Sequence, residues 1–405
     1  MYKDLLNRYR DTLMLAIVSI FIGIIIGVFD TLFGKVLLYI TDFRQKYFLY
    51  LIPFLPVAGF LIIYTYLKIG KNTLKGMTLI FETGFDKEDT IPKRLIPLAI
   101  LSTWLTHLFG ASAGREGVAV QLGATISHNI AKFVKIENSK KILLITGMAA
   151  GFSGLYETPI AASFFALEVL IAGSIEYKAI LPVVVGSFTA DFTSRFLGLE
   201  KFEIAINSNF NVDFTFILKL IILGIIFGIT GGLFAKFLGK TKNFLSEKLQ
   251  NPFSRIFIVG IILSILFFAL HNGRYSGLGT NLISDSLNGN TIYSYDFLLK
   301  FILTIVTLSA GFQGGEVTPL FAIGASLGSF IGSFIGISPV FCAALGYTAV
   351  FGSATNTFLA PIFIGGEVFG FSSMPYFFIV CALSYVFNGN FSIYKAQKIN
   401  KHTVS

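Results

Sequence analysis

Glu116 lies in the run Gly110-Ala-Ser-Ala-Gly-Arg-Glu-Gly117, an acidic side chain among small residues in an otherwise apolar part of the chain. A carboxylate at membrane depth is costly unless it faces water, an ion or a partner, so Glu116 is a candidate for chemistry. Small residues leave backbone N–H groups open. A helix starting there would aim its unpaired donors and the positive end of its dipole at an anion. The carboxylate could itself occupy the anion's seat, and protonation would release it. A plainer alternative is an Arg115–Glu116 ion pair at a helix end. Glu316 heads a second such segment, Gly314-Gly-Glu-Val-Thr-Pro-Leu-Phe321. Glycines followed by a proline in the first turn mark another helix start with open amides. The candidate anion-binding positions are therefore Gly114, Arg115 and Gly117 around the first glutamate, and Val317 and Thr318 after the second. The Thr318 hydroxyl could serve an anion or cap its own helix.

Other acidic residues read differently. Glu168 and Glu367 end the apolar runs Phe164-Phe-Ala-Leu-Glu168 and Ile362-Phe-Ile-Gly-Gly-Glu367. Their repetition favours a structural task, such as satisfying the N–H groups of broken helices. Glu157, before Thr158-Pro159, could be a cap or a pore group. His107, His128, His271 and His402 have no metal-ligand spacing, and the sequence has no Gly-Lys-Ser/Thr phosphate loop, so neither metal, nucleotide nor other cofactor is expected. No paired aspartates or nucleophile triad point to an enzyme.

The elements that must hold these residues are membrane helices. Of 405 residues, 54% are hydrophobic and 13% charged, against roughly a quarter charged in a soluble domain. Apolar runs long enough to cross ~30 Å of hydrocarbon recur along the chain. The first, Leu13 to Phe29, carries no charge and no small-residue cleavage site after it, which predicts a retained membrane helix. Forty glycines and eleven prolines in such a chain predict close helix packing and interrupted helices. The net charge of +9 is not gathered into a soluble arm with aromatic partners, so nucleic acid is not an expected partner. Basic residues gather at Lys3, Arg8 and Arg10 and at Lys395, Lys398 and Lys401, which predicts cytoplasmic termini. Cys342 and Cys381 lie in apolar segments and suggest no disulfide framework.

Three matches in the same order point to a duplication. Gly23-Ile-Ile-Ile-Gly27 recurs as Gly224-Ile-Ile-Phe-Gly228, the Glu116 segment as the Glu316 segment, and Pro159 with Glu168 as Pro361 with Glu367, each roughly 200 residues apart. The expected division is a first repeat over 1–199, a polar linker over 200–213, and a second repeat over 214–405 with a short basic tail. The duplicated core would run from Thr12 to Leu199 and from Asn211 onward. Repeat-built transporters place their binding site where interrupted helices of the two halves meet, which again draws attention to Glu116 and Glu316.

Taken together these motifs resemble the CLC family of chloride channels and proton-coupled antiporters. Gly114-Arg-Glu-Gly117 resembles its gating-glutamate motif, Gly314 to Leu320 its second anion-binding helix start, and Leu155-Tyr-Glu-Thr-Pro-Ile-Ala161 with Phe164 to Glu168 a third family motif. The resemblance implies an all-α polytopic membrane protein of two inverted repeats of tilted, interrupted helices. It also implies a homodimer in the cell membrane, bathed by lipid, with one anion pathway per subunit. By carry-over, Glu116 would gate the anion path and carry protons, Glu316 would take part in proton transfer, and the Tyr394 hydroxyl would join the central anion site. From position alone Tyr394, just beyond the last hydrophobic segment, reads as an interface anchor. Chloride-selective members carry a Gly-Ser-Gly-Ile-Pro segment, where this chain has Lys75-Gly-Met-Thr78, so Met77 stands where the anion-holding serine is expected. That methionine and Gly-Gly-Glu-Val-Thr-Pro at 314–319 resemble the branch that exchanges fluoride for protons. Many chloride/proton antiporters have paired glutamates where this chain has Glu168-Val169. The valine also resembles passive channels of the family. The implied function is fluoride export coupled to proton entry, with a chloride or halide transporter or a passive channel as the alternative.

Overall fold

The computed structural model describes residues 2–206 and 212–400, with the side chains of residues 2–4 left aside. The Lys3 side chain, Asn211, Lys401 and His402 therefore lie outside what is described. The chain opens with α1 (Tyr2–Leu51), which contains the apolar run from Leu13 and is interrupted only at Tyr47, with φ −116° and ψ 23°. Prolines at 53 and 56 then redirect it into α2 (Leu55–Ile69). A short α3 (Met77–Gly84) follows Gly76, whose φ of +52° is a turn that glycine adopts without strain. α4 (Leu95–Leu108), α5 (Glu116–Ala131), α6 (Ser139–Tyr156), α7 (Pro159–Glu168) and α8 (Ile180–Phe196) complete this part. Residues 197–206, 212 and 213 carry no helix, in the region expected to be linker.

The same order of lengths then returns. A long α9 (Phe214–Lys248) is followed by α10 (Pro252–Ala269), short α11 (Thr280–Leu287), α12 (Asp296–Ala310), α13 (Val317–Ile335), α14 (Pro339–Thr355), α15 (Leu359–Phe369) and α16 (Met374–Val386). Among the described residues, four stretches are long and apolar enough to cross a bilayer: Leu5–Ile69, α9, α10 and α13. An eight-residue helix such as α3 spans only ~12 Å, too short to cross the hydrocarbon by itself.

Small residues explain how helices carrying a polar site pack so closely. A Cβ added to Gly123 of α5 would fall inside the van der Waals shell of the Gly147 carbonyl on α6. One on Gly324 of α13 would do the same to the Gly346 carbonyl on α14. Backbone thus rests on backbone in both pairs, the packing that glycine permits in membranes.

Two carboxylates tie the broken helices together. Glu168 at the end of α7 accepts from the amides of Phe358 and Leu359 at 3.1 Å each and of Ala360 at 2.8 Å, at the start of α15. Glu367 in α15 accepts from Ile160 at 3.1 Å and Ala161 at 2.8 Å, at the start of α7. Each acid satisfies the open amides of the other's helix, the structural task expected from their repetition. After α16 the chain turns inward again, and Lys398–Ile399 pairs in parallel with Ile171–Ala172 beyond α7.

Candidate functional site

The segments before α5 and α13 meet head to head. The Gly114 amide donates to the Gly315 carbonyl at 2.5 Å and the Gly315 amide returns to the Gly114 carbonyl at 2.8 Å. Two helix N-termini from opposite halves of the sequence are thereby brought to one point. A Cβ on Gly114 would lie 2.8 Å from the Pro319 ring, so the approach depends on the missing side chain.

Glu116, the first residue of α5, is 1% exposed. Its Oε2 accepts from the Thr318 hydroxyl at 2.5 Å and from the Thr318 amide at 3.1 Å, with the Arg115 amide at 3.3 Å. The carboxylate therefore sits on the N-terminus of α13, in the position an anion would take. The Arg115–Glu116 pair also exists, with Nε 3.5 Å from Oε1. It is longer than either contact to Thr318 and does not replace them. Thr318 spends its hydroxyl on Glu116, and α13 has no side-chain cap of its own.

Glu316 occupies the N-cap of α13 and is half-buried, while Val317 beside it is buried. Gly117 lies against this glutamate, since a Cβ there would be 3.7 Å from Glu316 Oε2. Tyr394 is 5% exposed and its hydroxyl has no hydrogen-bond partner among the described residues. The charges of Glu316 and Glu116 both bear on it. Its ring stacks on Phe81 of α3 at 5.2 Å and meets Phe165 of α7 edge-on at 6.2 Å. Placement as an interface anchor is thus corrected: the segment after α16 re-enters the protein, and Gln397 secures it on the Val169 and Thr355 carbonyls at 2.8 and 3.0 Å. Met77 begins α3, half-buried at the edge of the core, one turn before the Phe81 that stacks on Tyr394. The structure joins Gly114, Arg115, Glu116, Gly117, Val317 and Thr318 directly and adds Glu316 and Tyr394 around them, while Met77 shares α3 with Phe81.

Several residues around this site were given no role from the sequence. The hydroxyls of Tyr156 and Tyr347 hydrogen-bond to each other, and Phe321 stacks on both rings, at 5.4 and 4.0 Å. The Glu116 charge bears on both tyrosines. Lys300, fully buried in α12, donates to Ser112 Oγ at 2.9 Å and to the Tyr275 and Gly277 carbonyls at 3.1 and 2.7 Å. It fixes the loop that delivers Glu116. A lone lysine in Phe297-Leu-Leu-Lys-Phe-Ile-Leu303 was a visible signal for it; of the tyrosine pair, Tyr156 lies in the Leu155–Ala161 motif and Tyr347 in none.

A family model described as voltage gated chloride channel matches residues 58–389. The chain belongs to that family, the CLC proteins. A chloride/fluoride channel protein of Pseudomonas syringae pv. tomato is 34% identical over 390 residues, covering 94% of this CLC chain and 86% of the relative. The H(+)/Cl(−) exchange transporter ClcA of Yersinia pestis is 24% identical over 354 residues, covering 81% and 73%. Among solved structures, a CLC-type fluoride/proton antiporter superposes with a TM-score of 0.94 at 51% identity, covering 96% of this chain and 98% of that one. A slow cyanobacterial Cl−/H+ antiporter shares the fold, with a TM-score of 0.79 at 21% identity. The helical, polytopic membrane fold implied by the motifs is the one observed, and these relatives are channels and exchangers rather than enzymes.

Proposed function

We propose that this CLC protein is a secondary active antiporter that expels fluoride in exchange for entering protons, with Glu116 as both gate and coupling group. One observation carries the reading: the Glu116 carboxylate rests on the amide and hydroxyl of Thr318 at 3.1 and 2.5 Å, where an anion would bind. Glutamate and anion then compete for one set of donors. A protonated Glu116 gives up the negative charge that the helix N-terminus favours, so it leaves the seat and admits fluoride. Loss of the proton returns it and expels the anion. Each cycle therefore links one movement to the other.

Fluoride as the substrate is supported by likeness to the fluoride/proton antiporter at 51% identity over 96% of the chain, together with Met77 and Gly-Gly-Glu-Val-Thr-Pro at 314–319. A small, strongly hydrated anion needs several donors to replace its water. The Thr318 amide and hydroxyl and the Tyr394 hydroxyl, which has no partner among the described residues, offer them. Glu316, beside Gly117 and facing Tyr394, is the acceptor for a proton carried inward by Glu116. The proposal extends to a homodimer in the plasma membrane, with both termini cytoplasmic and the two repeats divided at residues 200–213.

A passive anion channel, for chloride or another halide, is the second reading. It is favoured by Val169, fully buried where paired glutamates would relay a proton, and by a relative named as a channel. Purified protein in sealed liposomes separates the two. With an outward fluoride gradient, an antiporter drives protons inward against their own gradient. Fluoride efflux without proton movement would establish the channel, and movement of neither ion would remove both readings.

A further inference from the structure

Glu157 closes α6 in the left-handed region, with φ +58°, and is 1% exposed. Neither of its carboxylate oxygens has a hydrogen-bond donor among the described residues. Its counterpart at the end of α14, Asn356, adopts the same conformation with φ +54° and puts its side chain to use, accepting from Asn388 Nδ2 at 2.8 Å. Asparagine visits this region readily, glutamate much less so, and a buried carboxylate without donors is costlier than a bonded amide. The fold needs a left-handed residue at this corner and is well served by asparagine. Glutamate has to be explained by something else.

The charged groups facing Glu157 come from three sides: Arg195 and Asp191 on α8, Lys201 in the segment after it, and Arg115 ahead of α5. Arg195 Nε stands 3.8 Å from Glu157 Oε2, with its side chain 44% exposed, and is held by Asp191 Oδ1 at 3.0 Å. Arg115 is the guanidinium that touches Glu116. The adjoining Thr158 hydroxyl is buried and likewise has no partner among the described residues. Glu157 thus lies beside a half-exposed arginine, and the charge of the gate's arginine also reaches it.

We propose that Glu157 is a second proton-carrying group, which passes a proton between solvent at the Arg195 side and Glu116. The step rests on the antiporter reading above. The Glu157 carboxylic acid gives its proton to the near end of a chain of waters, whose far end delivers a proton to the Glu116 carboxylate. One O–H bond breaks at residue 157 and one forms at residue 116, and each water of the chain gains one proton and gives one up. Glu116 then leaves the Thr318 donors, and Glu157 regains a proton from solvent beside Arg195.

Glu157→Asn suits the left-handed backbone but cannot carry a proton, whereas Glu157→Asp keeps the acid. In proteoliposomes, fluoride-driven proton uptake by Glu157→Asn is expected to stay close to wild type at pH 5. At pH 8, where a relay matters most, it should fall by about tenfold or more, within the range a positioned acid supplies. Glu157→Asp should restore most of that loss. An asparagine variant that follows wild type at every pH overturns the proposal. So does an equal loss at every pH in both variants, which would mark a packing role. Infrared difference spectra between pH 5 and 8 test the group without transport. A carboxylic-acid band present in wild type and Glu116→Gln but missing in Glu157→Asn is expected, and no missing band refutes the proposal. If wild-type liposomes move no protons while this band is present, it is the antiporter reading that fails.

Discussion

Replacing Thr318 by valine removes one hydroxyl and keeps nearly the same shape. The lost hydrogen bond, 2.5 Å to Glu116 Oε2, has a charged acceptor, and such bonds contribute about 1.5–3 kcal/mol. The Thr318 amide at 3.1 Å and the Arg115 amide at 3.3 Å remain, so the seat is weakened without being abolished. Weakening the glutamate's hold by that amount lowers its occupancy relative to an anion by roughly 10- to 150-fold. If carboxylate and fluoride compete, apparent fluoride affinity should rise, by up to that factor less whatever the hydroxyl itself gives the anion. Turnover should fall because the gate no longer displaces fluoride efficiently. Titration calorimetry in detergent gives the affinity and a fluoride electrode on liposomes gives the turnover. Fluoride binding as tight as in wild type or tighter, with slower transport, is the expected pair. Weaker binding with unchanged turnover would mean that Thr318 serves only the anion and that Glu116 does not share its seat.

Met77→Ser places a hydroxyl at the start of α3, and the ratio of chloride to fluoride flux should rise; an unchanged ratio would separate Met77 from selectivity. Gly324→Ala sets a methyl group against the Gly346 carbonyl, where both partners are backbone and neither can turn aside. Overpacking of this kind costs about 1–3 kcal/mol, so thermal unfolding followed by size-exclusion chromatography should shift to lower temperature, and an unshifted midpoint would contradict the packing argument. Glu168→Gln leaves the α15 amides with a neutral acceptor and should lower stability while the fluoride-to-proton ratio stays as in wild type; a changed ratio would bring Glu168 into the transport path.

The sequence made the pairing of Glu116 with the Glu316 segment legible, because glycines, acid and proline recur in one order about 200 residues apart. The reciprocal task of Glu168 and Glu367 was legible for the same reason. Tyr394 was not. Nothing local marks a tyrosine among lysines as buried; its place depends on Gln397 and the short pairing at Lys398, contacts that form only after α7 and α16 have packed. Thr318 lay open between cap and ligand because its hydroxyl partner stands 202 residues away. The Tyr156–Tyr347 pair joins α6 to α14 across 191 residues, without any repeated motif to announce it. Lys300 carried a signal in its apolar surroundings, yet its three acceptors lie in loops whose approach no periodicity foretells.

The central claim is that the carboxylate of Glu116 couples the two ions. Its most direct test imposes a fluoride gradient across sealed liposomes and records external pH and fluoride together for wild type and Glu116→Gln. Glutamine preserves the shape but cannot release a proton at working pH. Proton uptake with fluoride efflux is expected in wild type, and no proton movement in the variant, whether it leaks fluoride or is arrested. Proton uptake driven by fluoride in Glu116→Gln would contradict it.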